Sequence, residues 1–490
     1  MKKVSIARTI SILAIFLVIG LNISWNGNGN FVKQSTLPEL MPPHPRLIEM
    51  AKEGKASLPE AVSSLTLKRS QGIDQPVKAP QHLSGTFKVL ALLVDFPDKP
   101  AATSPSFFDN LLFGDSFGTL RNYYQTVSYG NLTLTTENMP SSIGWLRLPQ
   151  TLTYYVGGYY GYGLRIYPNN AQKMVEDAVA LADPRVDFSK YDNDGDGVVD
   201  GLIVIHAGCG AEYGCSNEIW SHQWVTNTRL SVDGKTVYPY STEPEYWSSP
   251  NDMTVGVFAH EVGHLFGLPD LYDTDYSSEG VGEWSLMGGG SWNGVKNMGE
   301  SPAWPDAWSR LKLGWSNVDN VVSERLGAVF SAAETSPTVT RLFPYNNTTG
   351  KEYFLIENRQ AYDYDAYLPG QGLLIWHVDE NIGSNNLECA QVNNWVCSNQ
   401  HYKVALEQAD GNFDLECSSG YFPNRGDSGD PYPGSTNNRI FNAVSRPNSS
   451  SYYSSSGTGI SVVHISNSAR TMTADLNIDL IPLFLPFVRR

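Results

Sequence analysis

Two uninterrupted apolar runs frame the first half of the chain. Phe87 to Phe96 (FKVLALLVDF) and Gly201 to His206 (GLIVIH) read as strands buried on both faces. Between them, Leu120 to Val127 has a helical look, and Asn131 to Thr136 alternates as a strand after a turn at Gly130. Pro168 to Leu181 carries apolar residues at helical spacing: Met174, Ala178 and Leu181. Earlier, Leu47 to Lys55 can form a short helix. Later, Val255, Val257 and Phe258 lead into a helical stretch that stops at Gly267. Beyond Trp315 the pattern changes. Glu352 to Asn358, Gly372 to Val378, Tyr402 to Leu406 and Gly459 to His464 read as strands between Gly, Asn and Ser turns. The pattern predicts an α+β fold: helices and a mixed sheet first, then a β-rich segment, with a boundary near residues 316–325. No internal repeat stands out.

The ends read differently. Lys2, Lys3 and Arg8 precede an apolar run from Ile10 to Ile23, the form of a secretory signal. No other stretch is long and apolar enough to cross a bilayer. The tail from Ile481 is apolar and ends in Arg489-Arg490. Its prolines argue against a span and leave retention at the cell surface as an option. The expected division is a signal peptide at 1–25, a propeptide or linker at 26–86, a catalytic domain at 87–318, a β-rich domain at 319–478 and an apolar-basic tail at 479–490.

With 490 residues there is room for two or three domains. The formal charge is −16, and the first 86 residues are net basic, so the body of the chain carries the acidic excess. That balance speaks against nucleic acid or anionic membrane as partners. It suits an exported, calcium-binding protein, and it also simply keeps such a protein soluble. Export allows disulfides. The short spacings suggest Cys209–Cys215 and Cys389–Cys397, with Cys417 left over.

Chemistry concentrates at Val257 to Asp270 (VFAHEVGHLFGLPD). On a helix, His260 and His264 lie one turn apart on one face and can reach one ion. Glu261 is rotated by about 100° and can address a water without ligating. Gly267 permits a sharp turn, and Asp270 follows as an oxygen ligand. Three protein ligands with one open position is the form of a catalytic zinc site. Downstream, Met287 sits in a Gly-rich turn (GEWSLMGGGSW), as in Met-turn proteases, where it forms a floor under the metal. Tyr272-Asp273 and Glu283 rival Asp270 as third ligand. The expected architecture is therefore a zincin-type, metzincin-like catalytic domain.

Before GLIVIH lies a second candidate site. Asp192, Asp194, Asp196 and Asp200, with the Val198 carbonyl and Gly197 at the turn, match the oxygen wrap that calcium prefers. Ile203 stands where an EF-hand has its last Glu, so this is a calcium loop entering a strand. The alternative is a plain Asp/Gly turn. Asp410, Asp414, Glu416, Asp427 and Asp430 could build another such site. His222 is either an oxyanion donor or a hydrogen-bonded structural histidine. A propeptide with no cysteine excludes a thiol latch on zinc; His44, His82 or Asp74 could cap the metal instead.

The stretches HEVGHLFGLPDLYD, SLMGGGSWNG and PDAWSRLKLGW resemble the immune inhibitor A family of secreted bacterial metalloproteases, and the likeness runs over roughly residues 87–478. One departure from the wider Met-turn group is that no Tyr follows the Met-turn directly. The expectation is a secreted zinc endopeptidase made as a proenzyme, with one catalytic zinc, structural calcium, and proteins or peptides as substrates. The rival reading is a calcium-dependent surface-binding or adhesion protein with a vestigial protease domain. A complete motif that keeps Glu261 counts against it.

Overall fold

The computed structural model describes residues 38–56, 58, 83–163, 166–388, 400–416 and 424–478. The expected signal peptide, the tail, His82, Asp74 and the cysteines other than Cys209 and Cys215 lie outside the described residues. Among the described residues, no helix is long and apolar enough to cross a membrane.

Helices and strands are mixed, as the apolar pattern predicts. The central sheet has six strands in the order Glu39–Leu40, His222–Val232, Lys235–Tyr246, Leu202–Cys209, Leu90–Asp95 and Trp145–Arg147. The first three alternate in direction, and the last four are mutually parallel. Because side chains alternate along a strand, the two apolar runs serve two cores. Leu90, Leu92, Val94, Leu202 and Val204 pack with Met174, Val175, Ala178 and Val179 of helix Ala171–Ala182. Ala91, Leu93, Ile203 and Ile205 face helices Leu120–Val127 and Val255–Leu265.

The FKVLALLVDF run is two strands, not one. Gly85–Lys88 pairs in parallel with Leu132–Thr135, and Leu90–Asp95 enters the central sheet. Val89 is the step between them: its N–H donates to Thr135, while that of Leu90 donates to Gly201. The hairpin His222–Val232/Lys235–Tyr246 has no counterpart in the apolar pattern, because buried polar residues (Ser241, Thr242, Glu243 and Glu245) line its second strand. Its turn was legible nonetheless. Asp233 and Gly234 both have positive φ, 50° and 73°, and join the paired Val232 and Lys235; Asp-Gly is a favoured two-residue hairpin turn.

Beyond Trp315 the regular structure of the described residues is mostly strand. One five-stranded sheet runs Val404–Leu406, Gly372–Asp379, Glu352–Arg359, Thr338–Leu342, Asn317–Val321, and a three-stranded sheet joins Arg325–Ser331, Thr471–Ile478 and Ile460–Val463. The apolar core does not stop at this change of style. A single cluster contains Val262, Met287 and Trp304 together with Leu355, Leu374, Trp376 and Val404.

Buried charge ties the same two parts together. Arg359, 0% exposed, forms a two-point pair with Asp365 at 2.6 and 2.7 Å and reaches the Trp284 and Trp304 carbonyls at 3.2 and 3.3 Å. Arg310 pairs with Glu357 at 2.6 Å, and Glu357 also accepts from the Trp376 indole. Burial, with Asp365 beside it, pushes Glu334 up and keeps it protonated, so two guanidiniums face two carboxylates. Breaking such a pair strands a buried charge. Arg359→Met is therefore expected to cost about 3–5 kcal/mol in urea unfolding, whereas Arg325→Met, in the exposed pair with Asp319, costs less than about 1 kcal/mol.

Candidate metal centre

Helix Val255–Leu265 is buried along its whole length. It can lie this deep because glycine occupies its contact face: a Cβ on Gly263 would meet the Met287 sulfur at 2.7 Å. Met287, fully buried, thus packs against the helix backbone one residue before His264. At the helix end, Gly267 takes φ +88°, and the Leu268 N–H closes back on the Gly263 carbonyl. That turn returns the chain so that Asp270 faces the two histidines.

Each imidazole is oriented by a backbone carbonyl. His260 Nδ1 donates to Leu286 at 2.9 Å, and His264 Nδ1 donates to Leu268 at 2.8 Å. Carbonyls only accept, so the Nδ1 atoms carry the protons and the Nε2 lone pairs point inward. The two Nε2 atoms are 3.1 Å apart, and each is 3.2 Å from Asp270 Oδ1. All three residues are buried. Burial lowers the His260 pKa; at His264 burial acts the same way, but the Asp270 carboxylate together with Glu39 and the Leu268 carbonyl raises it. A proton on His264 would satisfy one side of this triangle and leave the others facing lone pair to lone pair. A cation satisfies all three. An ion bonded tetrahedrally at about 2.0–2.1 Å holds its ligand atoms about 3.3 Å apart, which the triangle fits.

Glu261 is buried beside the triangle, and neither carboxylate oxygen has a hydrogen-bond partner. Burial, then Glu243 and Asp270, push its pKa well up; a cation in the triangle acts in the opposite direction. Glu243, on the strand facing this helix, is likewise buried, and burial pushes its pKa well up although the Ser241 hydroxyl acts the other way. Nothing in the motif pointed to it.

Two of the rival ligands, Asp273 and Glu283, have other partners. Asp273 accepts from Ser277 and Ser278 hydroxyls at 2.7 Å each, and Glu283 is held near Arg425. His222 is also remote in role: Nδ1 meets the Trp220 carbonyl at 2.7 Å and Nε2 the Tyr240 hydroxyl at 3.1 Å. Its ring lies against Trp224 and Tyr240, in the layer away from the metal-triangle helix.

A segment from the expected propeptide crosses the site. Glu39 and Leu40 pair antiparallel with Gln223 and His222, extending the sheet edge. Three side chains then take successive carbonyls: Tyr272 Oη donates to Leu40 at 2.7 Å, Trp220 Nε1 to Met41 at 2.7 Å and Trp292 Nε1 to Pro42 at 2.9 Å. Glu39 is near enough to act electrostatically on both His264 and Glu261. His44 points away, with Nε2 against the Asn297 carbonyl at 2.8 Å. Of the sequence candidates for a cap, the one described, His44, therefore does not point to the triangle.

In the acidic loop, oxygens of Asp192, Asp194 and Asp200 lie within 4.8 Å of one another. Asp196 is outside that group and accepts from the Val198 N–H at 2.8 Å. Lys235 reaches Asp192 at 2.7 Å. Burial, then the neighbouring aspartates Asp194, Asp196 and Asp192, raise Asp200 to about 7. Asp410, Asp414 and Asp427 form a similar group; Glu416 and Asp430 are not in it. Cys209 and Cys215 form a disulfide.

Residues 79–316 match the family model described as immune inhibitor A peptidase M6, catalytic domain. Over that segment the chain is similar to the immune inhibitor A peptidases. It is 30% identical over 316 residues to the pre-pro-metalloprotease PrtV of Vibrio cholerae serotype O1, covering 53% of this chain and 33% of that protein. It is 31% identical over 267 residues to immune inhibitor A of Bacillus thuringiensis subsp. alesti, covering 44% and 38% respectively. The chain thus spans about a third of the length of the curated relatives it matches. Within this family's catalytic segment fall the helix, the Met287 turn and the acidic loop alike. If Asp270 closes the triangle, Asp270→Ala weakens zinc by more than ~100-fold in chelator competition, while Asp273→Ala and Glu283→Ala leave it unchanged.

Proposed function

We propose that this protein is a secreted zinc endopeptidase made as a proenzyme, with His260, His264 and Asp270 holding the metal and Glu261 acting as general base. The observation that carries this is the buried triangle of inward lone pairs at 3.1–3.2 Å with an unpartnered carboxylate beside it. Zinc bound there supplies a Lewis acid for the scissile carbonyl and lowers the pKa of water to about 7. Glu261 accepts the proton of that water and passes it to the leaving amine. Met287 packs under the helix and fixes the height of His264. The low-dielectric surroundings strengthen each of these interactions.

Latency follows from the same geometry. Residues 39–41 lie along the sheet edge, where an extended peptide would bind. Substrate enters only when this segment leaves, so 26–86 is read as a propeptide, 87–318 as the catalytic domain, and 319–478 as a β-rich domain sharing its core. We also assign a structural calcium to Asp192, Asp194 and Asp200, with the Lys235 ammonium offsetting part of the charge.

Two outcomes test this. Glu261→Ala keeps one zinc per chain and loses at least ~10²-fold in casein cleavage, while His264→Ala loses the metal; an active Glu261→Ala overturns the mechanism. A calcium-selective chelator lowers Tm while zinc stays bound, since a ligand at a hundredfold excess over Kd adds about 2.7 kcal/mol. An unchanged melting curve removes the calcium assignment.

A further inference from the structure

Tyr272 is buried, 5% exposed, two residues past Asp270, with its ring centroid 6.4 Å from that of His260. The ring is thus a neighbour of the candidate ligand His260, and Asp270, Glu261 and Glu39 are among its electrostatic neighbours. Among the described residues it makes one hydrogen bond, and the acceptor is a peptide carbonyl: that of Leu40, in the strand laid across the site. The sequence suggested Tyr272 only as part of a rival ligand pair. The structure gives its hydroxyl a peptide oxygen, and the ligand triangle closes without it.

We infer that Tyr272 is a catalytic residue of this peptidase, whose phenol O–H binds the scissile carbonyl oxygen and stabilises it as an oxyanion. The inference rests on the peptidase reading above. Residues 39–41 serve as the guide to a bound chain: Glu39 and Leu40 are paired on the His222–Val232 edge, and the Met41 N–H continues to the Ser221 carbonyl at 3.0 Å. A substrate on the same edge presents a carbonyl to the same phenol. When water adds, the new C–O bond forms, the carbonyl π pair moves to oxygen, and Glu261 holds the water's proton. The phenol proton is shared with the oxyanion and not transferred. On collapse, the C–N bond breaks and the amine takes the proton from Glu261. The donor that a Met-turn tyrosine would supply is thus placed on the loop following the ligand motif. Trp220 and Trp292, which hold the next two carbonyls, position the chain and do not touch the reacting bond.

The test compares Tyr272→Phe with the parent, both secreted and then activated, on a quenched fluorescent peptide. Losing one oxyanion donor lowers kcat by ~10²–10³-fold, with KM, zinc content and Tm unchanged. A phosphinic peptide, which mimics the tetrahedral state, loses affinity in parallel with kcat. If kcat stays within a few-fold and only latency weakens, Tyr272 is a clamp for residues 38–44 and the inference is overturned. Should the variant fail to fold, nitration of the parent by tetranitromethane decides: the phosphinic peptide protects Tyr272, and nitration unaffected by it overturns the inference. A parent with no chelator-sensitive cleavage overturns the peptidase reading itself.

Discussion

The structure depends on holding three electron-pair donors against one another in a dry interior. Two imidazole nitrogens and a carboxylate oxygen, each about one ligand spacing from the others, repel until a cation joins them. Only a rigid surround keeps them in place. The carbonyls of Leu286 and Leu268 fix the two rings. Leu286 belongs to the Met287 turn, and that turn is anchored by Arg359 through the Trp284 carbonyl and by Asp306 through the Ser285 hydroxyl. The chain of support thus runs from the ion-binding atoms through one turn into the sheet that contains Glu352–Arg359. A charged network of this kind is weak evidence for stability as such; here it fixes a geometry.

Legibility in the sequence followed the range of the interaction. The ligand helix, the glycine that ends it and the Met287 turn all lie between Val255 and Trp292, and their chemistry is encoded in spacing. The buried strands were legible because both faces are apolar, although the break at Val89 was not, since it depends on which partner each N–H meets. The Lys235–Tyr246 strand escaped because its buried face is polar, and polar residues in a strand pattern read as solvent-facing. Its Asp-Gly turn was the signal available. Glu39 could not be read at all. It is one acidic residue in a weakly patterned segment, and only pairing with Gln223 places it on the sheet edge.

The same distinction separates the two acidic groups from the metal triangle. Four aspartates in one short loop predict a cation wrap, yet the fold turns Asp196 onto the Val198 N–H and brings a lysine from the hairpin against Asp192. Local sequence cannot anticipate that ammonium, because Lys235 reaches the loop only after the hairpin has joined the sheet. In the triangle, by contrast, every ligand comes from one helix and the turn that follows it.

The shared core also bears on what counts as a unit. The family match ends at residue 316, but the Tyr129 hydroxyl donates to Ala333, Ser301 to Tyr364, and Trp304 takes its acceptor from Asp365. A chain cut at the end of the match would leave those groups, and the carbonyls that Arg359 holds, without partners in the interior. The stretch that the family model matches is therefore shorter than the stretch that shares one core.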